Sequence, residues 1–300
     1  MTATAFHAPA SLTDALALLA QPVADTRVLA GGTDLVVQMR AGRISPARVI
    51  DLKRIPEMIG IRVDADGSFL IGAATPCAVI GEHTPLSRQW PGVSEAAQLI
   101  GSKQVQGRAS LGGNLCNASP AADSVPALVA AGARCMVASA GGQREVPVED
   151  LPIGPGRLAL APGELLCAIR IPARGAHGGD AYLRMIPRTE MDIAVVGAGV
   201  NLRVDAAGVI REARVALGAV APTVVLVAQA AQALVGSKLG APALQAFARA
   251  VRAACKPIDD KRGTAAYRTR VAGVLALRAA SIAYQRATGA PATAGDSREP

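Results

Sequence analysis

Residues 108–128 read RASLGGNLCNASPAADSVPAL. Gly112 and Gly113 sit between Ser110 and Asn114, and Asn117, Ser119, Pro120 and Asp123 follow before the chain turns apolar again. Glycine lets backbone approach a ligand without a Cβ in the way. Serine, asparagine and aspartate add short donors and acceptors. Upstream, LAGGTDL (29–35) follows a short apolar strand and opens a helical stretch, so the amides of Gly31, Gly32, Thr33 and Asp34 are free to meet an anion. Each segment, taken alone, reads equally as a plain glycine turn. Together, from two different structural units, they form a candidate pair for the two phosphates of a dinucleotide. Neither fits GxGxxG or GxxxxGK[ST], which disfavours a Rossmann or P-loop reading.

Outward from these turns the pattern is mixed. SLTDALALLAQ (11–21) carries a helix start at Ser11 or Thr13, and Val28–Leu29 and ARVIDLKRI (47–55) read as parallel strands around a helix ending at Gly42. IGIRVDADGSFLIG alternates around Asp66–Gly67, a strong hairpin signal. A helix is expected at 91–101, another at 124–131, then a strand–turn–strand around Gly141–Gly142 and a strand at 165–173. GAHGGD (175–180) reads as a break between units. Three strands follow, with a turn near 205–208, and the rest reads as helix, from TVVLVAQAAQALVG onward. Runs of strands followed by runs of helices give an α+β fold. The tail from 288 is expected to be disordered.

The chain has 300 residues, 51% of them apolar, with only 2% aromatic and a net charge of +8. The basic residues are spread along the chain, and few aromatics are available to stack on bases, so nucleic acid is not an expected partner. A solvated face, or one docking acidic partners, accounts for the charge. The five cysteines (Cys77, Cys116, Cys135, Cys167, Cys255) have no metal-ligand spacing and read as free thiols. No metal site is expected. With no basic n-region and no apolar run of spanning length, the expectation is a cytoplasmic protein without a membrane span. Ser102, Ser110 and Ser119 lack a nucleophile elbow, and His7, His83 and His177 are scattered and expected at the surface. No catalytic side chain is assigned. A cofactor doing the chemistry fits better.

The AGGTDL turn, the block IGSKQVQGRASLGGNLCNASPAADSVPAL and YLRMIPRTEMDIAVVGAGVNL resemble the FAD-binding medium subunit of the molybdenum hydroxylases. That family includes xanthine dehydrogenase and carbon monoxide dehydrogenase. The likeness spans about residues 5–287, and its SxGGNxxNASPxxD order is specific. It implies a vanillyl-alcohol-oxidase (PCMH) type FAD-binding domain of two subdomains, 1–57 and 58–175. A C-terminal domain at 176–287, with a three-stranded sheet and a helical bundle, is implied after them.

The same resemblance implies site roles. Ala30, Gly31, Gly32, Thr33, Asp34 and Leu35 would wrap the pyrophosphate. Ser110, Gly112, Gly113, Asn114 and Asn117 would make the second phosphate and ribityl contacts. Asp123 would hold an adenosine ribose hydroxyl, Leu166 would offer backbone to the adenine or flavin edge, and Arg184 would lie near the isoalloxazine carbonyls. Ile100 and Ile193 stand where some relatives carry aromatics beside the cofactor. Ordinary core packing is the alternative for Ile100, Leu166 and Ile193. The implied partners are a large molybdopterin subunit and a small subunit with two [2Fe–2S] clusters, assembled as a dimer of heterotrimers. Electrons would leave to NAD, O2 or another acceptor. Some relatives hold an additional iron–sulfur cluster on an inserted cysteine segment, which this chain lacks. A stand-alone FAD oxidoreductase of the same fold, or a scaffold with a decayed flavin site, are the other readings.

Overall fold

The computed structural model describes residues 4–289 and contains three principal sheets, plus one short pair of strands. The first is built from β1 (Ala5–His7), β2 (Thr26–Leu29) and β3 (Arg48–Asp51), all parallel in the order β1-β3-β2. Helix α1 (Leu12–Ala20) is started by Ser11, whose hydroxyl accepts from the Asp14 amide at 3.1 Å. Helix α2 (Leu35–Arg40) follows the AGGTD turn, where Gly32 takes φ +79°.

The second unit begins with β4 (Ile61–Val63) and β5 (Phe69–Gly72), an antiparallel hairpin around Asp66–Gly67, with Gly67 at φ +81°. Short helices follow: α3 (Cys77–Glu82), α4 (Thr84–Gln89), α5 (Pro91–Gln98), α6 (Lys103–Gln106), α7 (Leu111–Cys116) and α8 (Ser124–Ala130). Then come β6 (Arg134–Ser139), β7 (Gly142–Pro147), the short pair β8 (Pro152–Gly154) and β9 (Arg157–Leu158), and β10 (Leu165–Ile171). The five-stranded sheet runs β4-β5-β10-β6-β7, with every neighbour antiparallel. The first two sheets share one core, in which Ile50, Ile71, Leu128, Val137 and Ile169 are buried together.

The third unit has β11 (Gly178–Met185), β12 (Val196–Val204), β13 (Ile210–Gly218) and the two-residue β14 (Val225–Leu226) in one antiparallel sheet. Helices α9 (Ala228–Leu234), α10 (Ala241–Ala254) and α11 (Ala265–Thr288) complete it. The three expected strands are present, but Val225 and Leu226, expected in a helix, pair with Leu217 and Ala216 as the fourth. Thr264 starts α11 by accepting from the Tyr267 amide, and Gly289 ends it at φ +67°. Thr288 is therefore helical rather than part of a tail, and 290–300 lie outside the described residues. Among the described residues no helix is long and apolar enough to cross a membrane.

Close packing accounts for two of the glycine segments. GAHGGD runs straight into the third sheet, since Gly178, Gly179 and Asp180 are already in β11. A Cβ on Gly179 would stand 2.1 Å from the Ala283 carbonyl oxygen, so the glycine is where α11 lies directly on the strand. The helix presents Ala272, Ala276, Ala279, Ala280, Ala283 and Ala287, all buried, toward this unit's core. Small residues at backbone-to-backbone distance stand here in place of aromatics. The region is also stapled to the second unit. The Arg174 guanidinium lies 3.8 Å over the Trp90 ring, and its Nη2 is 2.8 Å from Asp180 Oδ1. Trp90 donates to the Pro172 carbonyl at 3.0 Å, and Arg286 bridges Glu95 on α5.

The other is LGGNLC, expected as a turn and found as α7, which corrects that expectation. Ser110 is its N-cap, accepting from the Gly113 amide at 3.0 Å. A Cβ on Gly112 would fall 2.4 Å from the Ala73 carbonyl oxygen, so this glycine seats the helix against the end of β5. His83 also departs from expectation, being half-buried and accepting from the Leu86 amide at 3.2 Å.

Candidate functional site

A cavity of about 330 Å3 lies between the first two units. One wall is the 26–35 segment with Gln38 and Leu52, and the other combines 109–117 with Ala73, Ile100, Leu158, Leu160 and 164–166. It lies where β2 and β3 of the parallel sheet end, the usual place for a ligand beside such strands.

The first wall owes its chemistry to backbone. The amides of Gly31, Gly32, Thr33 and Asp34 donate to no protein acceptor among the described residues, and all four residues line the cavity. Unmet amides at a concave surface are anion donors. The second wall faces them. The Gly112 amide is likewise unpaired, and Ser110 Oγ, accepting from Gly113, keeps its own proton to donate. Asn114 accepts through Oδ1 from the Ser124 amide (3.2 Å) and hydroxyl (2.7 Å), which leaves its NH2 group for a ligand. Among the described residues the side chains of Thr33 and Asn117 make no hydrogen bond, and both residues line the cavity.

The walls touch directly at one point. A Cβ on Gly31 would be 2.1 Å from the Arg108 carbonyl oxygen and 3.0 Å from Ala109 Cα. No other residue type fits there, and this contact sets the distance between the two glycine segments. Gly113 is different: its added Cβ would meet Ser110 Oγ at 3.1 Å and Ala30 Cβ only at 4.0 Å, across the opening.

Much of the remaining wall is apolar, with Val28, Leu52, Leu158, Leu160, Leu165 and Leu166 in it. Glu164 borders it and is fixed by a bidentate pair with Arg144 at 2.6 and 2.7 Å and by the Ala161 amide at 2.7 Å. Arg144 holds the Glu164 carboxyl down at about 2, so it stays ionised. Cys116 also lines the cavity, but burial pushes its thiol up to about 12, which keeps it protonated and unreactive.

The structure thus brings Ala30 through Leu35, Ile100, Ser110, Gly112, Gly113, Asn114, Asn117 and Leu166 together around one cavity. Ile100 and Leu166 are both core and wall, being 8% and 3% exposed. Asp123, Arg184 and Ile193 are not in that wall. Asp123 is the N-cap residue of α8, next to the Ser124 that binds Asn114. Its Oδ2 accepts from Arg184 Nη1 at 2.7 Å, and its Oδ1 from the Tyr182 hydroxyl at 3.4 Å. Burial raises the Asp123 carboxyl above its ordinary value, against the lowering effect of Arg184. Asp123 and Arg184, to which the resemblance gave the adenosine ribose and the isoalloxazine carbonyls, are thus joined in one ion pair. Ile193 is half exposed, on the segment just before β12, and is not a core residue.

Several wall residues escape sequence reasoning. Leu158, Leu160 and Glu164 come from a stretch with no element signal, and nothing in the sequence couples Glu164 to Arg144.

Comparisons with known proteins bear on this geometry. The family model described as the FAD binding domain in molybdopterin dehydrogenase matches residues 2–174. The model of the CO dehydrogenase flavoprotein C-terminal domain matches residues 181–283. The carbon monoxide dehydrogenase medium chain of Hydrogenophaga pseudoflava is 34% identical over 94% of this chain and 97% of its own. The putative xanthine dehydrogenase FAD-binding subunit of Escherichia coli K12 is 30% identical over 95% of this chain and 97% of its own. Among solved structures, reconstituted CO dehydrogenase from Oligotropha carboxidovorans superposes with a TM-score of 0.90 at 34% identity, covering 95% of this chain and 98% of that one.

Proposed function

This chain belongs to the FAD-binding subunits of the molybdenum hydroxylases, of carbon monoxide and xanthine dehydrogenase type, and we propose that it is the electron-output subunit of such an enzyme. In this reading substrate is oxidised at a molybdopterin centre in a large partner. Electrons cross two [2Fe–2S] clusters in a small partner and leave through this chain to an acceptor such as NAD or O2. The assembly is a pair of heterotrimers. The observation that carries the proposal is the row of unmet amides at 31–34 facing Ser110 and the Gly112 amide across one cavity.

Bound there, FAD supplies exchange of electrons singly or in pairs. The chain's own groups do the holding. The 31–34 amides and the Ser110 hydroxyl would hold the diphosphate, their fixed dipoles replacing its water without reorganising. The apolar part of the wall, with Leu158, Leu160 and Leu166, suits the adenine ring. Asn114, Ser124 and Asp123 form a polar line from the wall to Arg184. On this reading the Asp123–Arg184 pair serves the isoalloxazine end. There the guanidinium charge would stabilise negative charge added to the ring.

The complex purified with its partners is expected to lose its flavin absorption, near roughly 450 nm, when the enzyme's substrate is added. The isolated chain should carry the same absorption, lose it to dithionite, and be indifferent to substrate. Reduction of the isolated chain by substrate would make it a self-sufficient oxidoreductase and overturn the proposal. Absence of flavin absorption from the isolated chain would point to a scaffold. A second expectation concerns the wall itself. Gly113→Val puts a branched side chain between Ser110 and Ala30, so FAD content should fall about tenfold or more while the melting temperature moves little. Full FAD content in that variant sinks the assignment of α7 as a cofactor wall.

A further inference from the structure

Just behind the phosphate-facing turn, on the strand end after β3, Lys53 reaches back into the 29–31 segment. Its Nζ donates to the Ala30 carbonyl at 3.0 Å and to Asp51 Oδ1 at 2.6 Å. Asp51 Oδ1 also accepts the Lys53 amide at 3.0 Å, so the lysine is held at both ends of its side chain. The side chains of Lys53 and Asp51 are 26% and 14% exposed, which makes this a partly buried arrangement rather than a solvated surface pair. One residue before, the Leu52 amide donates to the Leu29 carbonyl at 3.0 Å, so residues 51–53 are laced to 29–30 along one line.

In a trans peptide the carbonyl and the following N–H point in opposite directions. An ammonium on the Ala30 carbonyl therefore fixes the Gly31 N–H on the opposite edge of that peptide, pointing away from Lys53. Gly31 lines the cavity, and its amide has no protein acceptor. A charged donor on the carbonyl also polarises that peptide and strengthens its N–H as a donor. Gly31 cannot turn to compensate, because it is pressed against the Arg108 carbonyl.

We infer that Lys53 is a positioning residue for the cofactor: through the Ala30 carbonyl it orients and polarises the Gly31 amide as a donor to the FAD diphosphate. The inference rests on the reading of this cavity as the FAD site, and it adds a charge that touches no part of the ligand. Lys53→Met keeps most of the apolar stem and removes the charge, while Lys53→Arg keeps a cationic donor.

The test uses the purified full chain, with FAD titrated fluorimetrically and with ADP and adenosine as competing probes. Lys53→Met is expected to weaken FAD and ADP by about tenfold, the size of one charge-assisted hydrogen bond, and to leave adenosine unchanged. The 31P resonances of bound FAD should move, and Lys53→Arg should restore both affinity and shift. Unaltered FAD and ADP affinity in Lys53→Met overturns the inference. So does an equal loss for ADP and adenosine, which would mean general loosening of the turn. Should Lys53→Met fail to fold, Lys53→Gln against Lys53→Arg decides the matter, since equal affinity for FAD in those two removes the role of the charge. Failure of ADP to compete with FAD in the unaltered chain would instead count against the cavity as the FAD site.

Discussion

Gly31→Val is expected to abolish stable FAD binding and to lower the stability of the chain at the same time. The Cβ would lie 2.1 Å from the Arg108 carbonyl oxygen, and that atom is backbone, so no rotamer change can make room. The two glycine segments must separate, and the cavity they share opens at its diphosphate end. Losing two charge-assisted amide contacts corresponds to about 3 kcal/mol, or about a hundredfold in dissociation constant. Overpacking at a close backbone contact adds about 1–3 kcal/mol of destabilisation. The measurements are flavin-to-protein ratio after gel filtration and urea unfolding of the apo chain. A variant with normal flavin content and a normal unfolding midpoint would mean that the Gly31–Arg108 approach does not set the cavity. The contrast with Gly113→Val separates two uses of glycine. Gly31 is bare because another piece of backbone lies against it, whereas Gly113 borders the opening.

That distinction marks the limit of what sequence alone reveals about the site. Local signals were sufficient for α1, whose Ser11 cap is written in the sequence, and for the Asp66–Gly67 hairpin, whose turn residues match the geometry adopted. Both glycine segments were visible as places where backbone is unusually bare, and most of the cavity wall comes from them. What their glycines are bare for was not visible. Gly112 and Gly31 answer to Ala73 and Arg108, partners supplied only by the tertiary fold. The same blindness turned LGGNLC into a turn, because two glycines lower helix propensity more than a single serine cap can signal. Gly178 and Gly179, read as part of a break between units, are also the first residues of a strand. The apolar part of the wall and Lys53 carry no local signature at all. A leucine in an irregular segment and a lysine after a strand are the commonest of residues, and only their placement gives them a role.

Gly199→Val is expected to loosen the attachment of the third sheet to the second unit. Gly199 on β12 and Gly218 on β13 face α8: the added Cβ atoms would stand 2.4 Å from the Pro126 carbonyl oxygen and 2.9 Å from Pro126 Cγ. Gly179, under α11, pairs with Leu202, three residues from Gly199, so the two contacts lie on opposite faces of the sheet. The sheet is thus held between a helix of its own unit and one that begins at Asp123. A side chain at 199 must push α8 outward, and its first turn carries both Ser124, bonded to Asn114, and Asp123, bonded to Arg184. Overpacking of this kind costs about 1–3 kcal/mol, more where backbone is the obstacle. The functional consequence is specific. FAD should still be retained through the 31–34 amides, but its reduction potential and visible spectrum should shift, because the Asp123–Arg184 pair no longer sits at its place. Gly179→Val, which disturbs the other face, should destabilise the third unit with a smaller change in the flavin spectrum. Potentiometric titration of both variants beside the unaltered chain decides it. An unchanged potential in Gly199→Val, with α8 displaced as judged by a lowered unfolding midpoint, would remove Asp123 and Arg184 from the isoalloxazine end.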